Sequence, residues 1–238
     1  MKTSPSLDSD TGKESETGSG PRLVVAVDGP SGAGKSSASR GAAIALGLRY
    51  LDTGSMYRAL TWWLLEHGVE VSDAAAVARL AAEPVIEVGT DPRAPWTRVN
   101  GIDVSAAIRT PEVTAAVSTV AAVPEVRGHL VAQQREIIAN ATGIVAEGRD
   151  IGTVVAPGAQ VKVFLTANSA ARAGRRAAEP GWSAVSPQQT RVELDRRDRL
   201  DAAQSGKAAD AVEIDSTRLD LDQVVDIIVR LAQVARTR

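Results

Sequence analysis

The sequence predicts an α/β fold in which a parallel sheet of five strands is flanked by crossover helices. An unbroken apolar run at residues 23–27 is typical of a strand that is buried on both faces. A glycine-rich loop and a helical pattern follow it directly, and strand and helix patterns then alternate along most of the chain. The runs that predict the five strands are residues 23–27, 48–51, 144–147, 161–165 and 211–214.

Residues 29–36 read G-P-S-G-A-G-K-S, which is the phosphate-binding pattern G-x-x-x-x-G-K-S between a strand and a helix. Glycines at these positions let successive backbone N–H groups turn toward an anion, and the helix adds its positive end beneath that anion. Lys35 is placed to reach the β- and γ-phosphates, and the Ser36 hydroxyl is placed to hold Mg²⁺. The loop therefore predicts a site for a nucleoside triphosphate.

Capping residues define most of the predicted helices. The helix at residues 35–46 ends at Gly47, because glycine readily adopts the left-handed conformation that follows a helix. Ser72 is predicted to cap a short alanine-rich helix at residues 73–83. Other helices are predicted at residues 56–66, from 111, at 124–139, from 168 or 169, at 187–200 and from 220. The last of these opens with a capping box, and its predicted apolar face is Leu221, Val224, Val225, Ile228 and Leu231.

Residues 69–125 interrupt the parallel pattern. Two β-like runs, 85–88 and 96–99, are followed by Asn100-Gly101, a strong signal for a hairpin turn, and by a return strand at 102–104. A local antiparallel hairpin inside a parallel α/β chain predicts an inserted subdomain. We place this subdomain at about residues 69–125.

Arginines are dense in the last third of the chain, on two predicted helices separated by a proline–glycine break. The first of these helices carries Arg172, Arg175 and Arg176. In a protein with a phosphate-binding loop, such a unit fits a lid that neutralises charge and excludes water from the transferring group. We therefore predict a lid at about residues 172–200.

Composition limits the remaining possibilities. The 238 residues include no cysteine, which excludes disulfides, zinc–thiolate sites and cysteine nucleophiles and fits a reducing compartment such as the cytoplasm. No apolar run approaches the length of a membrane span. Residues 1–20 carry four acids and two bases and few apolar residues, so we predict a disordered tail. Acids and bases are equal in number in the rest of the chain, so general binding of nucleic acid is not expected.

Two arginine positions indicate an anionic acceptor. Arg58 follows the turn at residues 52–55, and Arg149-Asp150 follows the third predicted strand. Ligands bind at the carboxyl ends of strands in an open α/β sheet, and arginine suits bidentate contact with a phosphate. The GTPase signatures D-x-x-G after a strand and N-K-x-D are not found. The residues alone predict a small Mg-ATP-dependent phosphotransferase, in which Asp52 or Asp150 would act as base toward a hydroxyl acceptor.

Six motifs together resemble those of bacterial cytidylate kinases: D-G-P-S-G-A-G-K-S, L-D-T-G-S-M-Y-R, V-S-A-A-I-R-T, E-G-R-D-I-G-T-V-V, V-K-V-F-L-T-A and R-R-D-R-L-D. The resemblance covers roughly residues 22–235. It implies a P-loop kinase fold with a five-stranded parallel sheet in the order 2-3-1-4-5, a lid, and an insertion that binds the nucleoside monophosphate. The implied kinase domain is residues 21–238, with its core at 21–68 and 140–238.

The same resemblance implies a reaction and the residues that carry it. Members of this family phosphorylate CMP and dCMP to CDP and dCDP with Mg-ATP, and they are usually monomeric. Lys35, Arg149 and Asp150 would be catalytic, and the lid would contribute Arg172, Arg175 and Arg176. ATP would be bound by Gly29, Pro30, Ser31, Gly32, Ala33, Gly34, Lys35, Ser36 and Ser37, with Ser36 as the metal ligand. CMP would be bound by Thr53, Tyr57, Arg58, Ser118, Arg127, Arg149, Asp150, Arg197 and Asp201.

The CMP-binding set divides by the part of the nucleotide that each residue would contact. Arg58 and Arg149 would grip the phosphate. The pentose would be contacted by Arg197 and Asp201, and the cytosine ring would be read by Ser118, Arg127 and Asp150. No membrane or nucleic-acid partner is expected.

One segment departs from the family pattern. Between Asp201 and Ala211 the chain is shorter than that pattern, and Gln204 stands where a phosphate-binding arginine is expected. Lys207 is a candidate replacement, as a point charge rather than a fork. Two alternatives to CMP kinase activity stay open: a small-molecule kinase of the shikimate type with a hydroxyl acceptor, and a nucleotide-binding protein with reduced turnover.

Overall fold

A computed structural model describes residues 22–177 and 187–237. Within these residues the strands are β1 (Leu23–Asp28), β2 (Arg49–Asp52), β3 (Ile86–Val88), β4 (Thr97–Val99), β5 (Ile102–Asp103), β6 (Gly143–Gly148), β7 (Val161–Thr166) and β8 (Val212–Asp215). The helices are α1 (Lys35–Leu46), α2 (Thr53–Glu66), α3 (Ala74–Leu80), α4 (Pro111–Ala121), α5 (Pro124–Ala139), α6 (Ser169–Ala177), α7 (Pro187–Asp201) and α8 (Leu221–Arg236).

The main sheet has five parallel strands in the order β2-β6-β1-β7-β8. Numbered along the chain, these five strands stand in the order 2-3-1-4-5, which confirms the predicted topology. The register places Asp28 at the end of β1 beside Gly148 at the end of β6, and Asp52 at the end of β2 beside Glu147. The carboxyl ends of three neighbouring strands thus bring polar residues to one edge of the sheet.

Helices cover both faces of this sheet, and β1 contributes alternate residues to the two cores. Val25 and Val27 pack into a core with residues of α1 and α8, while Val24 and Ala26 pack into a larger core with α2, α4 and α5. All six residues of β1 are buried. The central strand and the loop after it are therefore held from both sides.

The predicted hairpin in residues 69–125 is part of a larger unit, because three strands form an antiparallel sheet in the order β3-β4-β5. The predicted turn at Asn100-Gly101 joins β4 to β5, and both of its residues have positive φ, 50° and 79°. The third strand was not predicted to pair. β3 aligns with β4 so that Ile86 lies opposite Val99, across a long connection that gives no local turn signal.

Helix boundaries match the predictions where the caps are local. α1 and α5 have the predicted bounds, and Gly47 ends α1 with φ 65°. α2 begins at Thr53, three residues earlier than predicted, since the Asp52 side chain accepts a hydrogen bond from the Ser55 N–H and caps it. Ser72 as the cap of α3 was wrong: Asp73 caps this helix, which ends at Leu80.

The carboxyl-terminal third shows similar agreement at its caps. Asn168 is the residue that caps α6, accepting from the Ala171 N–H, and α8 opens with the predicted capping box. Leu221 is exposed, so the buried face of α8 starts at Val224 and the prediction for Leu221 was wrong. The predicted proline–glycine break lies outside the described residues.

A short π-helical turn, Ile151–Val155, follows β6 and was not predicted. The Asp28 carboxylate accepts hydrogen bonds from the Ile151 N–H at 2.7 Å and the Gly152 N–H at 2.8 Å, which ties the turn to the end of β1. This contact fixes the chain directly after Arg149-Asp150. Across residues 22–177 and 187–237, no helix is long and apolar enough to span a membrane.

Candidate active site

A cavity of about 570 Å³ opens at the carboxyl edge of the main sheet, between the phosphate loop, α2, α4, α5 and α7. All the residues expected to bind the acceptor line it, and so do Lys35, Ser36, Ser37 and Arg176. Positive charge exceeds negative charge in the lining, since eight Lys and Arg side chains share it with four acids: Asp52, Glu147, Asp150 and Asp201. An anionic ligand would compensate this excess of positive charge.

The phosphate loop has the backbone shape that its glycines predict. Gly29, Gly32 and Gly34 have φ of 147°, 76° and 90°, and Gly34 stands directly before α1. The Lys35 side chain is buried and its Nζ donates to the carbonyl oxygen of Pro30 at 2.9 Å. Burial, followed by repulsion from Arg149, lowers the pKa of Lys35 to about 7. A phosphate beside Lys35 would favour its charged form.

Replacing Gly29 by alanine should cost about 3 kcal/mol of unfolding free energy and most of the activity. A Cβ at Gly29 would meet the backbone carbonyl oxygen of Leu165 at 2.1 Å, and φ 147° is strained for any other residue. Gly47→Ala is the matched control, because Gly47 also has positive φ but open space around its Cβ, and it should cost about 1 kcal/mol. Urea unfolding of both variants measures the difference, and equal losses would contradict a steric role for Gly29.

Arg149 connects Asp201 in the cavity wall to the phosphate loop. Its Nε donates to Asp201 Oδ2 at 3.0 Å, and its Nη1 donates to the carbonyl oxygen of Gly29 at 3.0 Å. Since β6 and β1 are neighbours, Arg149 emerges directly beside the start of the loop. The Arg149 guanidinium therefore contacts both the phosphate loop and the cavity wall at Asp201.

Two further arginines are buried in the cavity wall. Arg58 donates from Nη1 to Thr114 Oγ1 at 2.8 Å, and Arg197 donates to Ser31 Oγ at 3.1 Å. Burial and then Arg197 lower the pKa of Arg58 to about 9, while burial and then Arg149 lower the pKa of Arg197 to about 10. These cations repel one another, which is the electrostatic signature of a site built for a polyanion.

The other end of the cavity carries a polar cluster around Arg127. The Arg127 guanidinium forms an ion pair with Asp150 and donates to Gln204 Oε1 at 3.4 Å. The Ser118 hydroxyl is buried close by in the lining and has no hydrogen-bond partner among the described residues. Gln204 therefore lies in the cavity wall beside Arg127.

Lys207 does not take the place of the expected arginine. Its Nζ forms an exposed ion pair with Glu213 Oε2 at 2.8 Å, and it is not among the described residues that line the cavity. The cation that contacts Gln204 is Arg127, not Lys207.

Three residues predicted to bind substrates donate hydrogen bonds to backbone carbonyl oxygens of the protein. The Thr53 hydroxyl donates to the carbonyl oxygen of Glu147 at 2.7 Å and thereby ties α2 to β6. Arg172 donates to the carbonyl oxygen of Ser31 at 3.1 Å, and Arg175 to that of Ala33 at 3.1 Å. Within the described part of the chain these two arginines dock α6 onto the back of the phosphate loop, while Arg176 lines the cavity.

Of two carboxylates in the lining, Glu147 was missed as a site residue and Asp52 was expected only as a base toward a hydroxyl acceptor. Glu147 is buried and accepts a hydrogen bond from the Tyr50 hydroxyl at 2.6 Å, while Asp52 pairs with Arg109 at 2.9 Å. Burial, and then the charge of Asp52, raise the pKa of Glu147. The available signal was their position, since each stands at or next to the carboxyl end of a strand, and those ends meet at one sheet edge.

The oxygen atoms of Ser36, Asp52 and Glu147 form a donor set that suits Mg²⁺. Throughout residues 22–177 and 187–237, no group of three or more His, Cys, Asp or Glu side chains forms a metal cage. Mg²⁺ in phosphoryl-transfer sites commonly uses one or two protein oxygens together with substrate phosphates and water. The residues present therefore fit a magnesium ion that arrives with a nucleotide.

A family model and curated relatives with similar sequences carry the same family description. Residues 25–234 match the family model described as Cytidylate kinase. The chain is 53% identical over 216 residues to a cytidylate kinase of Streptomyces griseus subsp. griseus, covering 89% of this chain and 93% of that protein. It is 50% identical over 215 residues to a cytidylate kinase of Nocardia farcinica, covering 88% and 93%. A solved shikimate kinase from Bacteroides thetaiotaomicron is similar with a TM-score of 0.47 at 11% identity, covering 89% of this chain and 98% of that one.

Proposed function

The chain belongs to the cytidylate kinase family, and on that basis we propose that it transfers the γ-phosphate of ATP to CMP and dCMP, giving CDP and dCDP. The observation that carries the proposal is the position of Arg149. This guanidinium reaches from the acceptor side of the cavity to the carbonyl oxygen of Gly29 at the start of the phosphate loop. A donor phosphate in the loop and an acceptor phosphate at Arg149 would therefore lie side by side.

The chemistry requires positioning and charge neutralisation more than a catalytic base. An ionised oxygen of the CMP phosphate attacks the γ-phosphorus in line, a new P–O bond forms, and the bond to the β-phosphate oxygen breaks to release ADP. Lys35 would face the group in transfer, and Arg58 and Arg149 would hold the acceptor phosphate. Bound Mg²⁺ would neutralise charge on the phosphates, with Ser36, Asp52 and Glu147 holding it directly or through water.

Base selection would come from Arg127 and Asp150. Because they form an ion pair in the lining, the site presents a donor and an acceptor together, which matches a cytosine edge with an acceptor ring nitrogen and an amino group. Uracil offers the opposite pattern at those two atoms. Arg197 and Asp201, which line the cavity near Arg149, would contact the pentose.

Other parts of the proposal concern organisation. We place the kinase domain at residues 21–238, with the monophosphate-binding insertion at about 69–125 and the lid at about 172–200. A monomer in the cytoplasm is expected, the latter because the chain has no cysteine. A shikimate-type acceptor is not favoured, since relatives at about half identity are named cytidylate kinases.

A coupled assay with Mg-ATP and a panel of CMP, dCMP, UMP, AMP, GMP and shikimate tests the function. We expect CMP and dCMP to be used far better than every other acceptor. Equal rates with UMP would contradict the base-reading roles of Ser118, Arg127 and Asp150. Binding of CMP by calorimetry without formation of product would instead support a nucleotide-binding protein with reduced turnover.

A further inference from the structure

Asp28 is a buried carboxylate that the proposed function does not use. It ends the central strand β1 and is only 3% exposed. Within residues 22–177 and 187–237 it forms no ion pair with a lysine or arginine. Burying a charge without a cationic partner normally costs stability, and burial raises the pKa of the Asp28 carboxyl accordingly. A carboxylate at this position therefore requires an explanation other than packing.

The two oxygen atoms of this carboxylate hold the chain that follows Arg149-Asp150. Oδ1 of Asp28 accepts a hydrogen bond from the Ile151 N–H at 2.7 Å, and Oδ2 accepts one from the Gly152 N–H at 2.8 Å. On the other side of Arg149-Asp150, the end of β6 is paired with the end of β1. The segment Arg149-Asp150 is thus a two-residue bridge that β1 holds at both of its ends.

The Arg149 side chain is held by the residue that follows Asp28. Its Nη1 donates to the carbonyl oxygen of Gly29 at 3.0 Å. The Asp28 carboxylate therefore fixes the backbone beyond Arg149, while the Gly29 carbonyl fixes the guanidinium. If the turn after β6 moved away from β1, the Arg149 backbone would move relative to this carbonyl. The planar fork of an arginine needs matched geometry to bind a phosphate, so a small displacement would weaken its contact with the ligand.

We propose that Asp28 is a positioning residue for phosphoryl transfer, whose carboxylate holds the turn after β6 so that Arg149 reaches the acceptor phosphate from beside the phosphate loop. This inference rests on the proposed function, because that function assigns Arg149 to the CMP phosphate. Asp28 itself contacts backbone N–H groups and is not among the described residues that line the cavity. It acts through Arg149 and, to a smaller extent, through Asp150.

Asp28→Asn tests the proposal with a side chain of the same shape. The amide keeps one acceptor oxygen but places an NH₂ donor against a backbone N–H. The variant should lower kcat/KM for CMP about a hundredfold, mostly through the KM for CMP, since displacing a catalytic group by about 1 Å can cost this much. The KM for ATP should stay within about threefold, because the loop keeps its own N–H groups. Steady-state kinetics measure both, and a wild-type KM for CMP would overturn the proposal.

Asp73→Ala is the matched control for a purely structural effect. The Asp73 carboxylate also accepts from two backbone N–H groups, those of Ala75 at 3.1 Å and Ala76 at 3.0 Å. It caps α3 and is not among the described residues that line the cavity. Its loss should lower the Tm without changing the KM for CMP or for ATP. A similar rise of the KM for CMP in this variant would show that lost stability, and not the position of Asp28, causes the effect.

The double variant Asp28→Asn with Arg149→Ala tests whether Asp28 acts through Arg149. Its kcat/KM for CMP should lie less than about tenfold below that of Arg149→Ala alone, because the side chain that Asp28 positions is already absent. Two single effects that multiply in full would overturn the proposal. Thermal unfolding of each variant reports its stability separately.

Gly152→Ala perturbs the same contact without removing the carboxylate, and it is the deciding variant if Asp28→Asn does not fold. An added Cβ would lie 3.3 Å from Asp28 Oδ2, so the contact would have to shift by a few tenths of an ångström. We expect the KM for CMP to rise about threefold with the KM for ATP unchanged. An unchanged KM for CMP would overturn the proposal. A wild-type enzyme that does not phosphorylate CMP would overturn the proposed function instead, so the two failures are distinguishable.

Discussion

Replacement of Lys35 by methionine should lower kcat about a thousandfold while leaving the protein at least as stable as the wild type. Activity is lost because a buried charge aimed at the transferring phosphate contributes far more than one in water, and loss of a single such group commonly costs this much. Stability is kept because burial and Arg149 both disfavour the charged form of Lys35. Steady-state kinetics and thermal unfolding measure the two effects on the same sample.

Lys207→Met is the matched control for this variant. Lys207 forms its ion pair with Glu213 on the surface, so its loss should leave kcat and the KM for CMP within about twofold of the wild type. A Lys35→Met enzyme that keeps more than about a tenth of its turnover would show that this side chain does not face the group in transfer.

Arg149→Ala should lower kcat/KM for CMP about a thousandfold, with most of the loss in the KM for CMP. The variant removes a fork suited to the acceptor phosphate, and it also leaves Asp201 without its ion pair. The KM for ATP should change less, because the loop keeps its backbone N–H groups. Kinetics with each substrate varied in turn separate these contributions.

Two further variants serve as comparisons for Arg149→Ala. Arg149→Lys keeps a charge without the fork and should recover only part of the loss. Arg230→Ala removes an exposed arginine of α8 and should behave like the wild type. If Arg149→Ala keeps the wild-type KM for CMP, the acceptor phosphate is not bound where we place it.

The fold was predictable from sequence wherever the signals were local. α1 and α5 have the predicted bounds because Gly47 and Pro124 mark helix ends by their own backbone preferences. α2 was predicted to start too late, since its cap is formed by the Asp52 carboxylate and the intervening turn residues are already helical. The pairing of β3 with β4 depends on contacts across a long connection, so no local pattern indicates it.

In the site too, the features set by local sequence were predictable and those set by strand register were not. The phosphate loop follows from glycines whose conformations few other residues adopt, and Gly29 and Gly34 have the positive φ that this requires. Glu147 was missed because its role depends on the register of β6 beside β2. Arg172 and Arg175 were predicted to face phosphates, since a count of positive charges does not say whether a guanidinium meets a ligand or a backbone carbonyl.

We expect these two arginines to couple the proposed lid to the nucleotide by thermodynamic linkage. Arg172 and Arg175 donate hydrogen bonds to the carbonyl oxygens of Ser31 and Ala33, and these bonds join α6 to the phosphate loop. Peptide groups are planar, so holding these carbonyls on the outside keeps the opposite N–H groups directed inward. If the proposed lid stabilises this loop shape, it would increase the affinity for the triphosphate, and bound triphosphate would stabilise the docked lid by the same free energy.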